Sequence, residues 1–366
     1  YYKIMKRILI ITNYYFPAKK AGGPVKSIKN LVSFLKEKYS FNIITSNRDL
    51  DGAILNTKNS EDISYTKNTY EIIYLLLKKI NNVDIIYLNS FFSFKYSILI
   101  LVLNSLGLCK NKKILIAPRG ELSNGAVSIK KRKKIFYIRC FKYFLKRKNI
   151  SFHFTTVEEK NEAIAMLGNI KHKVAPNCHD KIPAYIKKKK ERNELKIIYL
   201  SRITPKKNLL ILSKILSEIN SNIQFTIVGN IEDSSYFKEC MLILNKNKLI
   251  TTKYIGAVSP EKTSTLLQDS HLFALLTLNE NYGHAIVEAL THSNLVLLSN
   301  NTPWSNLSNY NCGIFDPDSI DECKLYINKI FEMDQIEYNQ YTYRTYQYIS
   351  NILSINEKFI EETFSD

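Results

Sequence analysis

KIIYLSRITPKKN, residues 196–208, decides the fold. A short apolar run rich in isoleucine ends in polar residues, and an apolar helical pattern follows to about residue 219, as expected of a buried parallel strand feeding a helix. The stretch just before it, IKKKKERNE (186–194), is charged and lacks apolar periodicity, so it reads as a linker between domains. The same alternation runs on both sides of that break. Upstream lie KRILIIT (6–12), FNIITS (41–46), IIYLNS (85–90), ILIAPRG (114–120), SFHFTT (151–156) and KVAPN (173–177), separated by helical patterns. In PVKSIKNLVSFLKEKY (24–39), Val25, Ile28, Leu31, Val32 and Leu35 share one helix face. Residues 47–68 are polar and irregular, which reads as a surface loop. Downstream lie IQFTIVGN (223–230), KYIGAV (253–258), LFALLTL (272–278), NLVLLSN (294–300) and CGIFD (312–316). Repeated βα units predict parallel sheets covered by helices. The fold class is therefore α/β, with two doubly wound Rossmann-like domains facing a cleft. The expected boundaries are 1–186, a linker at 187–194, 195–340, and C-terminal helices at 341–366.

Composition narrows the function. The 366 residues carry 52 Lys and Arg against 33 Asp and Glu, a net charge of +19. A hydrophobic fraction of 45% and a charged fraction of 23% exclude a disordered tail, a collagen-like chain and a coiled coil. The positive surplus points to an anionic partner: nucleic acid, an anionic membrane or a phosphorylated substrate. None of the six cysteines forms a C-x-x-C pair, so they read as free thiols of a reducing compartment. No signal-peptide pattern is present, and the apolar stretch Tyr96 to Cys109 falls short of the roughly 20 residues of a bilayer span. The expected location is cytoplasmic, with room for peripheral contact with the inner face of the plasma membrane.

Three constellations carry chemistry. In ENYGHAIVE, Glu280 and Glu288 sit eight residues apart across a strand-to-helix turn. Gly283 permits close backbone approach there, and the amides of Asn281, Tyr282, Gly283 and His284 would be unsatisfied N-terminal donors suited to an anion or polar ligand. The bland alternative is a capping Glu280 and a solvated Glu288. In SRITPKKN, Arg202 ends a strand and Lys207 opens a helix, two cations placed to clamp a diphosphate, with Lys206 as competitor. In AGGPVKSI, Gly22 and Gly23 remove side chains where backbone could approach a ligand, and Pro24 suits a first helical turn. An ordinary glycine turn explains that segment equally well. No histidine, cysteine or carboxylate spacing suggests a metal site.

Taken in chain order, ITNYYFPAKKAGGP, APRGELSNGA, VAPN, SRITPKKN, VGN and the Glu280–Glu288 element running into LVLLSNNTPW resemble the family 4 retaining glycosyltransferases, which have the two-Rossmann GT-B fold, and within them the bacterial capsule and O-antigen type. The resemblance implies that Arg202 and Lys207 hold the donor diphosphate and Glu288 the ribose hydroxyls. It places Glu280 and the amides of 281–284 on the transferred sugar, and Gly22 and Gly23 beside the phosphate and acceptor. It also implies a metal-free reaction with no cofactor beyond a UDP- or GDP-sugar donor. The acceptor would be a lipid-linked saccharide, and the C-terminal helices would pack back on the N-terminal domain. Two departures stand out. Asn177, Cys178, His179, Asp180 replaces the usual Asn-Gly-Ile/Val-Asp run, and Arg119, Gly120, Glu121 stands where many relatives carry a histidine. Arg119 and Glu121 therefore either touch the reacting sugar or form a structural ion pair. Of the histidines, His153 reads as a satisfied core residue and His172 and His179 as exposed.

Lys130 to Lys148 holds ten Lys and Arg and no acids, interleaved with Phe136, Tyr137, Ile138 and Tyr143. It reads either as a solvated basic helix or as a helix lying on an anionic membrane surface; no nucleic-acid module accompanies it. The rival functions are a nucleotide-sugar epimerase on the same fold and a basic protein binding membrane or nucleic acid.

Overall fold

The computed structural model describes residues 5–18, 20–109, 111–123, 131–179 and 182–365. The chain divides into two compact units, Tyr1–Asp180 with Asn356–Asp366, and Lys181–Ile355.

In the first unit the elements run β1 (Lys6–Ile11), α1 (Gly23–Leu35), β2 (Tyr39–Ser46), β3 (Ile63–Thr66), α2 (Thr69–Ile80), β4 (Ile85–Leu88), α3 (Leu99–Ser105), β5 (Lys113–Ile116), α4 (Lys131–Phe141), β6 (Ile150–Phe154), α5 (Val157–Leu167) and β7 (His172–Val174). The seven strands pair in the order β3-β2-β1-β4-β5-β6-β7, with every pairing parallel. β1 ends in four fully buried residues, Ile8 to Ile11, because helices cover both faces of the sheet. The expected loop at 47–68 contains β3. Its four residues alternate between half-buried and buried, too short a run for periodicity to reveal.

The second unit continues with β8 (Leu195–Leu200), α6 (Leu209–Ser217), β9 (Ile223–Val228), α7 (Ser234–Leu244), β10 (Ile250–Gly256), α8 (Pro260–Gln268), β11 (Leu272–Leu275), α9 (His284–Thr291), β12 (Leu295–Ser299), β13 (Gly313–Phe315), α10 (Ile320–Glu332) and α11 (Gln335–Ser365). Its strand order is β10-β9-β8-β11-β12-β13, again parallel. In each sheet the order of strand addition reverses beside its first strand, at β1/β4 and at β8/β11, and in such sheets ligands bind at the carboxyl ends beside that reversal.

The linker expected at 187–194 is instead built into the second unit. Lys188 is buried, and its ammonium donates to the carbonyls of Leu267 (2.6 Å) and Ser270 (2.5 Å) at the C-terminal end of α8. Lys190 is also buried and donates to the carbonyls of Phe331 and Met333 at the end of α10. Charge suggested solvent, but these lysines bury their stems and cap helix termini. α11 is shared: Ile349 and Leu353 pack in the second unit's core, whereas Ile360 and Phe364 pack in the first unit's. The unit boundary thus falls at 355/356, inside the helix, and the segment 341–355 expected to pack on the N-terminal domain belongs to the second unit.

Candidate functional site

In the second unit, the loops after β8 and β11 meet at the sheet's carboxyl edge. The chain leaves β8 through Arg202 and makes one tight turn at Pro205–Lys207, closed by Asn208 in the left-handed conformation (φ 53°). The carbonyl of Lys206 accepts from the Leu278 amide (2.9 Å) and the Thr277 hydroxyl (3.1 Å), which ties this turn to the loop after β11. The tie brings Lys207 and Glu280 together: Nζ lies 2.5 Å from Oε2, with the two side chains only 12% and 18% exposed. Residues 73 apart in sequence thus form one half-buried ion pair. The other Glu280 oxygen accepts from the Asn281 amide at 3.2 Å, and the Glu280 amide donates to the Asn301 carbonyl.

Gly283 caps α9 with φ 79°, where a Cβ would lie 2.7 Å from the Ile286 side chain. The left-handed conformation favours glycine here, and any larger residue would also have to displace the end of the Ile286 side chain. α9 has no side-chain cap and no acidic residue in its first turn, so its first amides face a place suited to an anion. The Tyr282 ring is buried, and its carbonyl accepts from the Trp304 indole at 2.6 Å, fixing the turn from behind. Glu288 is half-buried, more than one turn into α9. Arg202 lies at the same edge but pairs with Glu232 (2.7 Å), a partner with no motif to announce it. Both of those side chains are more than a third exposed.

In the first unit, Gly22 caps α1 with φ 62°, and a Cβ there would meet nothing within 4 Å. The positive φ by itself favours glycine at this position, and the space beside it is open. Gly23 and Pro24 open the helix, which has no side-chain cap.

Arg119 and Glu121 do not pair with each other. Glu121 accepts from the Ser90 hydroxyl (2.7 Å) and the amides of Phe91 (2.6 Å) and Phe92 (2.9 Å), organising the loop after β4. Burial raises its carboxyl above the usual range. Arg119 takes φ 55° and is followed by Gly120 at φ 79°. Its guanidinium donates to Asn89 Oδ1 (2.8 Å), Asn177 Oδ1 and the Tyr87 hydroxyl (2.6 Å). Tyr87 in turn meets His153 Nδ1 at 2.9 Å, and His153 Nε2 meets the Ala175 carbonyl at 2.7 Å. Both His153 nitrogens are thus satisfied in the core. His179 departs from expectation: its side chain is 8% exposed and lies 3.7 Å from Glu357.

Among the described residues, no group of three or more His, Cys, Asp or Glu could hold a metal ion. None of the described helices is long and apolar enough to cross a membrane. Cys109, Cys178, Cys240, Cys312 and Cys323 are buried and unbridged.

Comparison with known proteins fits this frame. Residues 181–348, nearly all of the second unit, match the family model described as glycosyl transferases group 1. No curated protein matches the sequence. Among solved structures, Anabaena HepE in complex with UDP aligns over 99% of this chain and 100% of its own, with TM-score 0.73 and 16% identity. Sucrose-phosphate synthase from Thermosynechococcus elongatus aligns over 98% of both chains, with TM-score 0.72 and 11% identity. WaaG, a glycosyltransferase involved in lipopolysaccharide biosynthesis, aligns over 99% of this chain and 100% of its own, with TM-score 0.62 and 11% identity. The two parallel-sheet α/β units are those of GT-B glycosyltransferase structures.

Proposed function

We propose that the protein is a retaining, metal-independent glycosyltransferase of family 4. It would move a hexose-type sugar from a UDP- or GDP-sugar to a hydroxyl of a lipid-linked precursor of a capsule or O-antigen chain. The observation that carries this reading is the Lys207–Glu280 pair at the carboxyl edge of the β8/β11 reversal. A leaving nucleoside diphosphate develops negative charge. Lys207 and the first amides of α9 are fixed donors that would stabilise it without reorganising, and Arg202 would join them by turning from Glu232 at the same edge. Glu280, held by Lys207, would accept from hydroxyls of the transferred sugar, and Glu288 from the ribose. The published partners of similar folds support this choice of donor, since HepE has been solved with UDP and with UDP-glucose. Among the described residues none is assigned as a covalent nucleophile, so front-face departure and attack within an ion pair is the proposed route to retention.

The test is a transfer assay with a panel of nucleotide sugars and lipid-linked acceptors. Glu280→Ala and Glu288→Ala should each lower turnover at least 100-fold, about the loss of one preorganised transition-state contact, with unfolding midpoints near that of the parent. Activity should persist in excess EDTA. Near-parent turnover in either folded variant removes that carboxylate from the site, and chelator loss restored by Mg²⁺ removes the metal-free mechanism.

A further inference from the structure

Arg119 has a setting that donor chemistry in the other unit does not explain. Its guanidinium carries five N–H donors, and three go to Asn89, Asn177 and Tyr87, all neutral acceptors. Among the described residues no carboxylate lies within ion-pair distance of it. The two neighbouring carboxylates are committed elsewhere: half-buried Glu121 to Ser90, Phe91 and Phe92, and buried Glu159 to the Gly120 amide (2.5 Å) and to the Thr155 amide and hydroxyl (both 2.7 Å). A half-buried cation held by neutral groups keeps its charge for something else.

The clamp is directional. The Ala175 carbonyl can only accept, so His153 Nε2 carries the proton and Nδ1 must accept from the Tyr87 hydroxyl. That turns the Tyr87 oxygen lone pairs toward Arg119. Burial, helped by the Arg119 charge, holds His153 at a pKa of about 3, so this tautomer is neutral across the working range. Arg119 also sits in the left-handed region, a conformation that is costly for a non-glycine residue and concentrates at functional sites. The loops after β4, β5 and β7 converge on this one side chain.

We propose that Arg119 is an oxyanion-binding residue of the first unit, positioned by Tyr87 and His153 and reserved for a phosphate or carboxylate on the acceptor. Only the word acceptor rests on the glycosyltransferase reading; anion binding at Arg119 does not. The shared chemistry is a planar fork meeting two oxygens of one anion.

The test follows the Nε–H resonance of Arg119 in the full chain labelled with ¹⁵N-arginine, assigned by its disappearance in Arg119→Lys. Inorganic phosphate, glucuronate and glucose are titrated separately. A saturable shift with phosphate alone assigns a phosphate group, with glucuronate alone an acidic sugar, and with both the shared oxyanion chemistry; glucose should leave the signal in place. Tyr87→Phe and His153→Leu should weaken the anion titration about tenfold, the order expected for a lost hydrogen bond to a charged group. His153→Gln, which can donate to Ala175 and accept from Tyr87, should restore it, and this pair decides the matter if Tyr87→Phe does not fold. No saturable shift with either anion, an equal response to glucose, or parent-like anion affinity in both Tyr87→Phe and His153→Leu overturns the proposal. UDP calorimetry reports separately on the donor site, so its failure would leave this result standing.

Discussion

Lys206 and Lys207 are adjacent in sequence and differ in what their neighbours require of them. Lys206 is exposed, and its main-chain carbonyl does the structural work of joining two loops. Lys207 is 12% exposed and bound to Glu280. Lys207→Ala should therefore weaken UDP binding by about tenfold or more, the order of a lost charge-assisted bond, and Lys206→Ala by much less. Calorimetry giving the reverse order would move the clamp to Lys206. The sequence placed both lysines and Glu280 at loop ends, but a partner 73 residues away was not legible, because a hydrogen-bonded loop tie decides it. The Arg202–Glu232 pair was hidden for the same reason, as was the network behind Arg119. Histidine offers a second test at this scale. His153 and His271 are buried neutral, with pKa values lowered from 6.5 to about 3 and about 4, in each case mainly by burial. The unfolded chain binds these protons more tightly than the folded one, so their contribution is complete above about pH 6.5 and falls away toward pH 3–4. Between pH 7 and pH 5 each should remove about 2 kcal/mol of stability. Urea unfolding should show His153→Gln flattening that decline; an unchanged slope would mean that His153 accepts a proton in the folded state.

At the scale of elements, strands and helices followed from apolar runs and periodicity because both sheets are buried on two faces, which leaves a plain signal in the sequence. The failures were elements whose chemistry runs against composition. β3 is four residues long in a polar stretch, and the charged segment at 187–194 is partly interior. Lys188 shows why. It is buried, and its pKa lies well below the usual range because of that burial. Its ammonium still serves two carbonyls at the end of α8, where a cation also meets the negative end of the helix dipole. Leu267 has a second donor in Asn294; for the Ser270 carbonyl, Lys188 is the side-chain donor. Lys188→Met keeps the volume of the stem and removes the donor, so it should cost about 1–3 kcal/mol, the desolvation penalty of one orphaned carbonyl. Denaturant midpoints measure this, and a loss below the experimental error would show that water reaches Ser270 in its place.

For the whole molecule, a net charge of +19 exceeds what the proposed diphosphate clamp would use, and much of the surplus is concentrated in one element. The basic segment forms α4 and a following single turn at Phe144–Lys146; Lys130 lies outside the described residues. Tyr137, Ile138 and Leu145 are buried against the first unit, so an apolar inner face exists. The outer face is not simply solvated charge: Phe136 is 70% and Tyr143 84% exposed, seven residues apart, among exposed Arg132, Lys133, Arg139 and Lys142. Aromatic side chains beside cations are the composition of a helix resting on anionic headgroups. Lys134 is not one of these surface groups, because its ammonium lies 4.9 Å from the centre of the Phe92 ring. We propose that this face meets the anionic inner membrane surface that would present a lipid-linked acceptor. Each cation near such a surface contributes about 1 kcal/mol, so neutralising four should lower the vesicle partition constant by about two to three powers of ten. Arg132→Gln, Lys133→Gln, Arg139→Gln and Lys142→Gln combined should release the protein from phosphatidylserine-containing vesicles in a sedimentation assay. Phe136→Ser with Tyr143→Ser should weaken binding even at low salt, where charge attraction is strongest. UDP affinity should not change in either variant, since the residues proposed to hold the donor lie in the other unit. Parent-like sedimentation of the fourfold variant would show that α4 is a solvated face and overturn the membrane proposal.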